Sequence, residues 1–242
     1  MCLHQFTFNV TTMRHCLFNF AFLAIAVFVY HGFPIKAQSA ISDASPIKVD
    51  VYYESLCSDS MRFIVNQLVP SYRELKNHIN VTMIPYGKAT HIRESETGPW
   101  QFTCQHGPAE CRGNKAQACA IHAIESFEAV QNHQHLTIRL VGCAMSASNP
   151  STAVPKCSQD IGLSEETRKA ITDCTASSLG DDLLAANGDK TNALEPSLTF
   201  VPTIVLKGEY SRENQNEALN NFSRLICRHL TTEKKPSLCD TA

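Results

Sequence analysis

The 242-residue chain is 43% hydrophobic, carries 21 basic against 23 acidic residues for a formal charge of −2, and holds 11 cysteines. This balance excludes the strongly basic surface of a nucleic-acid binder, and the cysteine density argues against an ordinary cytosolic protein. Length and apolar content suffice for one good core with room for an inserted subdomain.

The chain begins with a leader pattern. Arg14 precedes an apolar run from Leu17 to Tyr30, and small residues follow at Ala37-Gln38-Ser39-Ala40, the order of a secretory signal peptide over residues 1–40 with an approximate cleavage point. The run falls short of the ~20 residues a membrane span needs. No second hydrophobic stretch follows, so a soluble chain without membrane attachment is expected after cleavage. Cleavage removes Cys2, Cys16, Arg14 and Lys36, which leaves nine cysteines and shifts the charge to −4. In an oxidising compartment thiols pair, so one cysteine is left over. The sequons Asn80-Val81-Thr82 and Asn221-Phe222-Ser223 make Asn80 and Asn221 candidate glycosylation sites.

Residues 41–242 read as one domain. Ile47–Tyr53 alternates apolar and polar residues with β-branched and aromatic character, which predicts a strand. It runs into Glu54-Ser55-Leu56-Cys57, after which Met61, Phe63, Ile64, Leu68, Val69 and Tyr72 recur at helical spacing through Arg73. A second strand is predicted from Ile79 to Tyr86, with a turn at Gly87. The middle, about 91–187, contains Cys104, Cys111, Cys119, Cys143, Cys157 and Cys174 among predicted helices at Ala116–Gln131 and Ser164–Ser178, a stapled helical insertion. Strand character returns from Thr199 to Leu206, Lys207-Gly208 forms a turn, and a helix is predicted from Asn214 to Leu230. The order is that of an α/β protein.

Cys57 lies where a strand meets a helix N-terminus, whose unpaired N–H groups and dipole favour an anion such as a thiolate. Two roles stand side by side: the nucleophile of thiol–disulfide exchange, or a structural bridge partner. Nearby Asp59 disfavours an anion there, and Ser58 and Ser60 either donate to the sulfur or cap the helix. Pro202, in Val201-Pro202-Thr203, removes a ladder donor from a strand. An edge strand or a strand-opening proline accounts for it, as does a cis-proline loop facing Cys57.

The run Cys104-Gln105-His106-Gly107-Pro108-Ala109-Glu110-Cys111, continuing to Asn114 and Cys119, is the most identifying stretch. Six and seven residues intervene between its cysteines, too many for the paired ligands of structural zinc, so no metal is expected. His106 stands near a cysteine, where the role of a ligand or proton donor competes with the commoner ordinary hydrogen bond of a loop histidine; Glu110 and Asn114 are read as holding the loop, and none of the three is given a catalytic role.

Here the chain resembles the gamma-interferon-inducible lysosomal thiol reductases. The resemblance runs through Tyr52-Tyr53-Glu54-Ser55-Leu56-Cys57, Val81–Gly87, Trp100, the Cys104–Cys119 run, Ala185-Ala186-Asn187, Ala193-Leu194, Val201-Pro202, Cys227 and Lys234–Cys239. It implies a thioredoxin-like fold with a helical insert, and reduction of protein disulfides in a lysosomal or secretory setting. Cys57 matches the first, nucleophilic cysteine of the family's pair, and Ser60 occupies the place of the second, resolving cysteine. A serine cannot resolve a mixed disulfide. The resemblance therefore implies disulfide-containing protein substrates, no bound cofactor, and glutathione or another small thiol as external reductant. The alternative is a catalytically weak or inactive secreted protein that captures client cysteines or recognises partners non-covalently. With Cys57 set apart, Cys104, Cys111, Cys119, Cys143, Cys157, Cys174, Cys227 and Cys239 suffice for four bridges. Their connectivity is open except that Cys227 with Cys239 makes a plausible short loop.

Overall fold

The computed structural model describes residues 45–231 and 235–241, which fall in one contact-defined unit, Ser42–Ala242. The leader over 1–40, with Cys2 and Cys16, lies outside the described residues, as does Lys234.

Strand β1 (Ile47–Tyr53) is the middle strand of a three-stranded sheet. It pairs in parallel with β2 (Ile79–Pro85), in register from Ile47 opposite Ile79 to Tyr53 opposite Pro85, and antiparallel with β5 (Thr203–Leu206). A central strand is covered on both faces, and the side-chain period of two divides the core accordingly. Val49, Val51 and Tyr53 pack with Phe63, Leu68, Phe222 and Leu225 on one face. Tyr52 packs with Ile84 and Val205 on the other. The apolar–polar alternation expected of β1 stops at Lys48, because Asp50 is also buried and takes the Lys48 ammonium at 3.0 Å.

Between β1 and β2 the chain is helical from α1 (Ser58–Phe63), through a π-helical turn at Ile64–Leu68, to α2 (Val69–Leu75). Pro70 lacks an N–H and its ring crowds the preceding turn. The wider π turn just before it lets the helix continue past the proline.

The insert opens with a feature absent from the sequence expectation, a hairpin of β3 (Thr90–Ile92) and β4 (Gln101–Thr103). Three-residue strands are too short for their period to stand out. Helix α3 (Pro108–Phe127) starts eight residues earlier than predicted, with Gly107 at φ 79° before it and Pro108 in its first turn. Then come α4 (His133–Ser146), α5 (Val154–Asp160), α6 (Glu165–Thr175) and α7 (Ser178–Asn192). These helices have a core of their own around Ile124, Leu140, Val154, Leu163 and Ile171. Gln134 of α4 reaches back to the sheet, its Oε1 accepting the Val81 N–H of β2 at 2.6 Å.

Strand β5 begins at Thr203 rather than Thr199, since Pro202 offers no donor and the segment before it bends. The predicted C-terminal helix is two helices, α8 (Arg212–Asn220) and α9 (Phe222–His229). Asn221 leaves helical geometry at φ −153°, and its side chain accepts the Arg224 N–H as the N-cap of α9. Among the described residues no helix is long and apolar enough to cross a membrane.

Candidate functional site

Four disulfides close in the structure: Cys104–Cys111, Cys119–Cys174, Cys143–Cys157 and Cys227–Cys239. The first staples the loop that leads into α3, the second joins α3 to α6, the third joins α4 to α5, and the fourth ties the C-terminal turn to α9. Cys57 alone among the described cysteines is free, and it is partly exposed. All eight bridge candidates are thus engaged with one another.

Cys57 is the N-cap of α1, at the point where β1 has run out of the sheet and the next N–H groups have no helical acceptor. Its Sγ lies 3.7 Å from the Val201 carbonyl oxygen, and the Val201–Pro202 peptide is cis. The sequence places these two segments 144 residues apart. The β1–β5 pairing brings them together, since Tyr52 lies opposite Thr203. Phe200 and Tyr210 meet ring to ring beside this loop, with Phe200 partly exposed.

Ser60 is fully buried, and its Oγ accepts the Glu54 N–H at 3.4 Å. It faces inward across the turn and so neither lies open to solvent nor serves as the N-cap. Asp59 is exposed and pairs with Arg62 on the same helix.

The loop carrying Cys57 is held by the first turns of α3. Ser55 N–H donates to Asn114 Oδ1 at 2.8 Å, and Ser55 Oγ donates to the Glu110 carbonyl at 3.1 Å. Tyr53 OH donates to Gln117 Oε1 at 2.6 Å, and Asn114 Nδ2 donates to the Tyr86 carbonyl at 3.4 Å. Glu54, Ser55, Glu110, Asn114 and Gln117 are all fully buried. Gly113 sits against Ser55, where a Cβ would collide with the hydroxyl. The run from Cys104 to Cys119 is therefore more than a staple for the insert: its polar residues clamp the strand-to-helix loop. Residue spacing did not reveal Glu54, Ser55 and Gln117, because buried polar side chains look like surface ones until their partners are known.

Beside the clamp, His106 Nδ1 lies 2.6 Å from Glu110 Oε2 and 3.4 Å from Glu54 Oε2. Glu54 Oε1 accepts the Lys88 N–H at 2.7 Å. Burial, and secondarily the Glu110 carboxylate, hold the Glu54 carboxyl above its ordinary value, against the pull of the Lys88 N–H. Of the sequon residues, Asn80 is exposed on β2, whereas Asn221 spends its side-chain oxygen on the α9 cap.

Residues 48–161 match the family model described as gamma interferon inducible lysosomal thiol reductase. The chain is 37% identical over 194 residues to a gamma-interferon-inducible lysosomal thiol reductase-like protein of Anopheles gambiae, covering 78% of this chain and 79% of the relative. It is 33% identical over 197 residues to a gamma-interferon-inducible lysosomal thiol reductase of Carassius auratus, covering 81% and 73%. Among solved structures, MdbA, a thiol-disulfide oxidoreductase from Actinomyces oris, superposes with a TM-score of 0.51 at 15% identity over 76% of this chain and 80% of that one. That likeness bears on the fold alone, which is α/β and thioredoxin-like.

Proposed function

Because the chain belongs to the gamma-interferon-inducible lysosomal thiol reductase family, we propose that it reduces protein disulfides through Cys57 acting as a lone nucleophilic thiol. The observation that carries this reading is the free Cys57 sulfur at a helix start, 3.7 Å from the carbonyl that precedes cis Pro202.

The Cys57 thiolate attacks one sulfur of a substrate disulfide, forming a mixed disulfide and expelling the other sulfur as a thiolate that takes up a proton. Ser60 has no sulfur for the second displacement. A glutathione thiolate attacks the Cys57 sulfur instead, releasing the second substrate thiol and leaving glutathione on Cys57. A second glutathione then displaces Cys57 and departs as the oxidised dimer. Two glutathiones are oxidised for each substrate disulfide reduced, so electrons and protons balance.

The mature chain is offered a disulfide-bonded protein substrate with and without glutathione. The expected result is a substrate adduct on Cys57 without glutathione, catalytic reduction with it, and loss of both in Cys57→Ala. Reduction that persists in Cys57→Ala overturns the reading. Covalent capture without turnover at any glutathione concentration favours instead a client-capturing binding protein. The leader pattern and four bridges support a secretory route, to lysosomes or outside the cell.

A further inference from the structure

We propose that Glu54, His106 and Glu110 form a binding site for a small divalent transition-metal ion of the zinc class. Glu54 directly follows β1, while His106 and Glu110 stand four residues apart within the loop closed by Cys104–Cys111, Glu110 in the first turn of α3. One donor atom from each lies within 4.8 Å of the other two.

An independent observation points to a ligand. Glu54 is fully buried, and its Oε2, on the side facing His106, has no hydrogen-bond partner, although Oε1 is satisfied by Lys88. Buried carboxylate oxygens are almost always paired, since an unpaired one forfeits its hydration with nothing in return. Glu110 is fully buried beside it, so two carboxylates share one imidazole. A divalent ion supplies the positive charge that this arrangement lacks.

The donor set selects the ion. Two carboxylates and an imidazole nitrogen suit zinc and its borderline neighbours. Calcium, which takes six to eight oxygens, is poorly served. With metal–ligand bonds of about 2.0–2.2 Å, two ligands of a tetrahedral ion stand roughly 3.3–3.6 Å apart. The His106–Glu54 separation of 3.4 Å is already of that size. The 2.6 Å contact between His106 and Glu110 must open, because the ion replaces the proton these groups share. His106 can make that adjustment: its side chain is 41% exposed, while both glutamates are sealed. The same exposed edge admits the ion and a water as fourth ligand. The cysteines of the identifying run take no part, being locked in disulfides.

The consequence is local. The Glu54 carbonyl accepts the Cys57 N–H at 3.4 Å, so an ion at this site would fasten the turn that bears Cys57 to the insert.

The mature chain with its disulfides intact is stripped with a chelator and titrated with zinc, and separately with cobalt(II) as an optical probe. One equivalent is expected to bind, with cobalt absorption of a nitrogen–oxygen site and no thiolate-to-cobalt charge-transfer band. Glu54→Gln keeps an acceptor for the Lys88 N–H but removes the charged donor, and His106→Gln removes the imidazole. Each should weaken zinc binding by at least about 100-fold, beyond what loss of an outer partner costs, whereas Cys57→Ala should bind as the parent does. Should Glu54→Gln fail to fold by circular dichroism, the exposed loop variant His106→Gln decides alone. Binding that survives His106→Gln, binding lost in Cys57→Ala, or no binding at millimolar zinc each overturns the proposal. None of these readouts depends on reductase activity, so the site stands or falls separately from the proposed function.

Discussion

Removal of the Cys119–Cys174 bridge should cost more stability than removal of any other. It closes a loop with a sequence separation of 55, against 14, 12 and 7 for Cys143–Cys157, Cys227–Cys239 and Cys104–Cys111. Loop-closure entropy grows with the logarithm of loop length, which assigns about 4 kcal/mol at 25 °C to the long loop, about 3 to each middle one and about 2.4 to the short one. Cys119 and Cys174 are also both buried among α3 and α6, so alanines there lose packing in addition. The assay is urea unfolding of paired Cys→Ala variants with Cys57 alkylated, monitored by circular dichroism and extrapolated to water. The Cys119→Ala/Cys174→Ala variant should fall below the Cys104→Ala/Cys111→Ala variant by roughly 1.6 kcal/mol or more. Equal costs, or a larger cost for the short loop, would refute the idea that this bridge stabilises the fold chiefly by restricting the unfolded chain.

Tyr53→Phe leaves Gln117 Oε1 buried without its donor, and should destabilise by about 1–3 kcal/mol in the same unfolding assay. Gly87→Ala forces a side chain onto φ 67°, where the new Cβ would overlap Glu54; about 2 kcal/mol or more should be lost, with Glu54 displaced. His229 is held below its ordinary value of 6.5, first by burial and then by Lys207 and Arg228. The unfolded chain therefore takes up that proton first, so stability is full above about pH 6.5 and declines as the pH falls below it. His229→Gln should flatten this part of the pH–stability curve, measured by thermal unfolding between pH 5 and 7.5, and an unchanged slope would count against it.

Cys57 and Pro202 were legible as a pair because each breaks a local habit, a cysteine at a helix start and a proline at the head of an apolar strand. Strands β1 and β2 were legible from their period and composition. The clamp was not, because its meaning lies in contacts such as Ser55 with Asn114, which are 59 positions apart. Glu54 and Glu110 carry charges that composition assigns to the surface, yet both are sealed beneath the loop. The break at Asn221 is hidden in the sequence for a related reason: apolar spacing continues through it, while the cap that ends one helix and starts the next is a single hydrogen bond. Five of the insert's elements, β3, β4, α4, α5 and α7, are too short or too weakly periodic to stand out and emerge only from packing.

The β2 strand is the outer member of its sheet, and such a margin is ordinarily a template onto which a second chain adds itself. Here one of its outward amides, that of Val81, is already taken by the Gln134 side chain rather than by another strand. Asn80 stands exposed next to it. The insert thus occupies part of a border that would otherwise invite strand-to-strand aggregation.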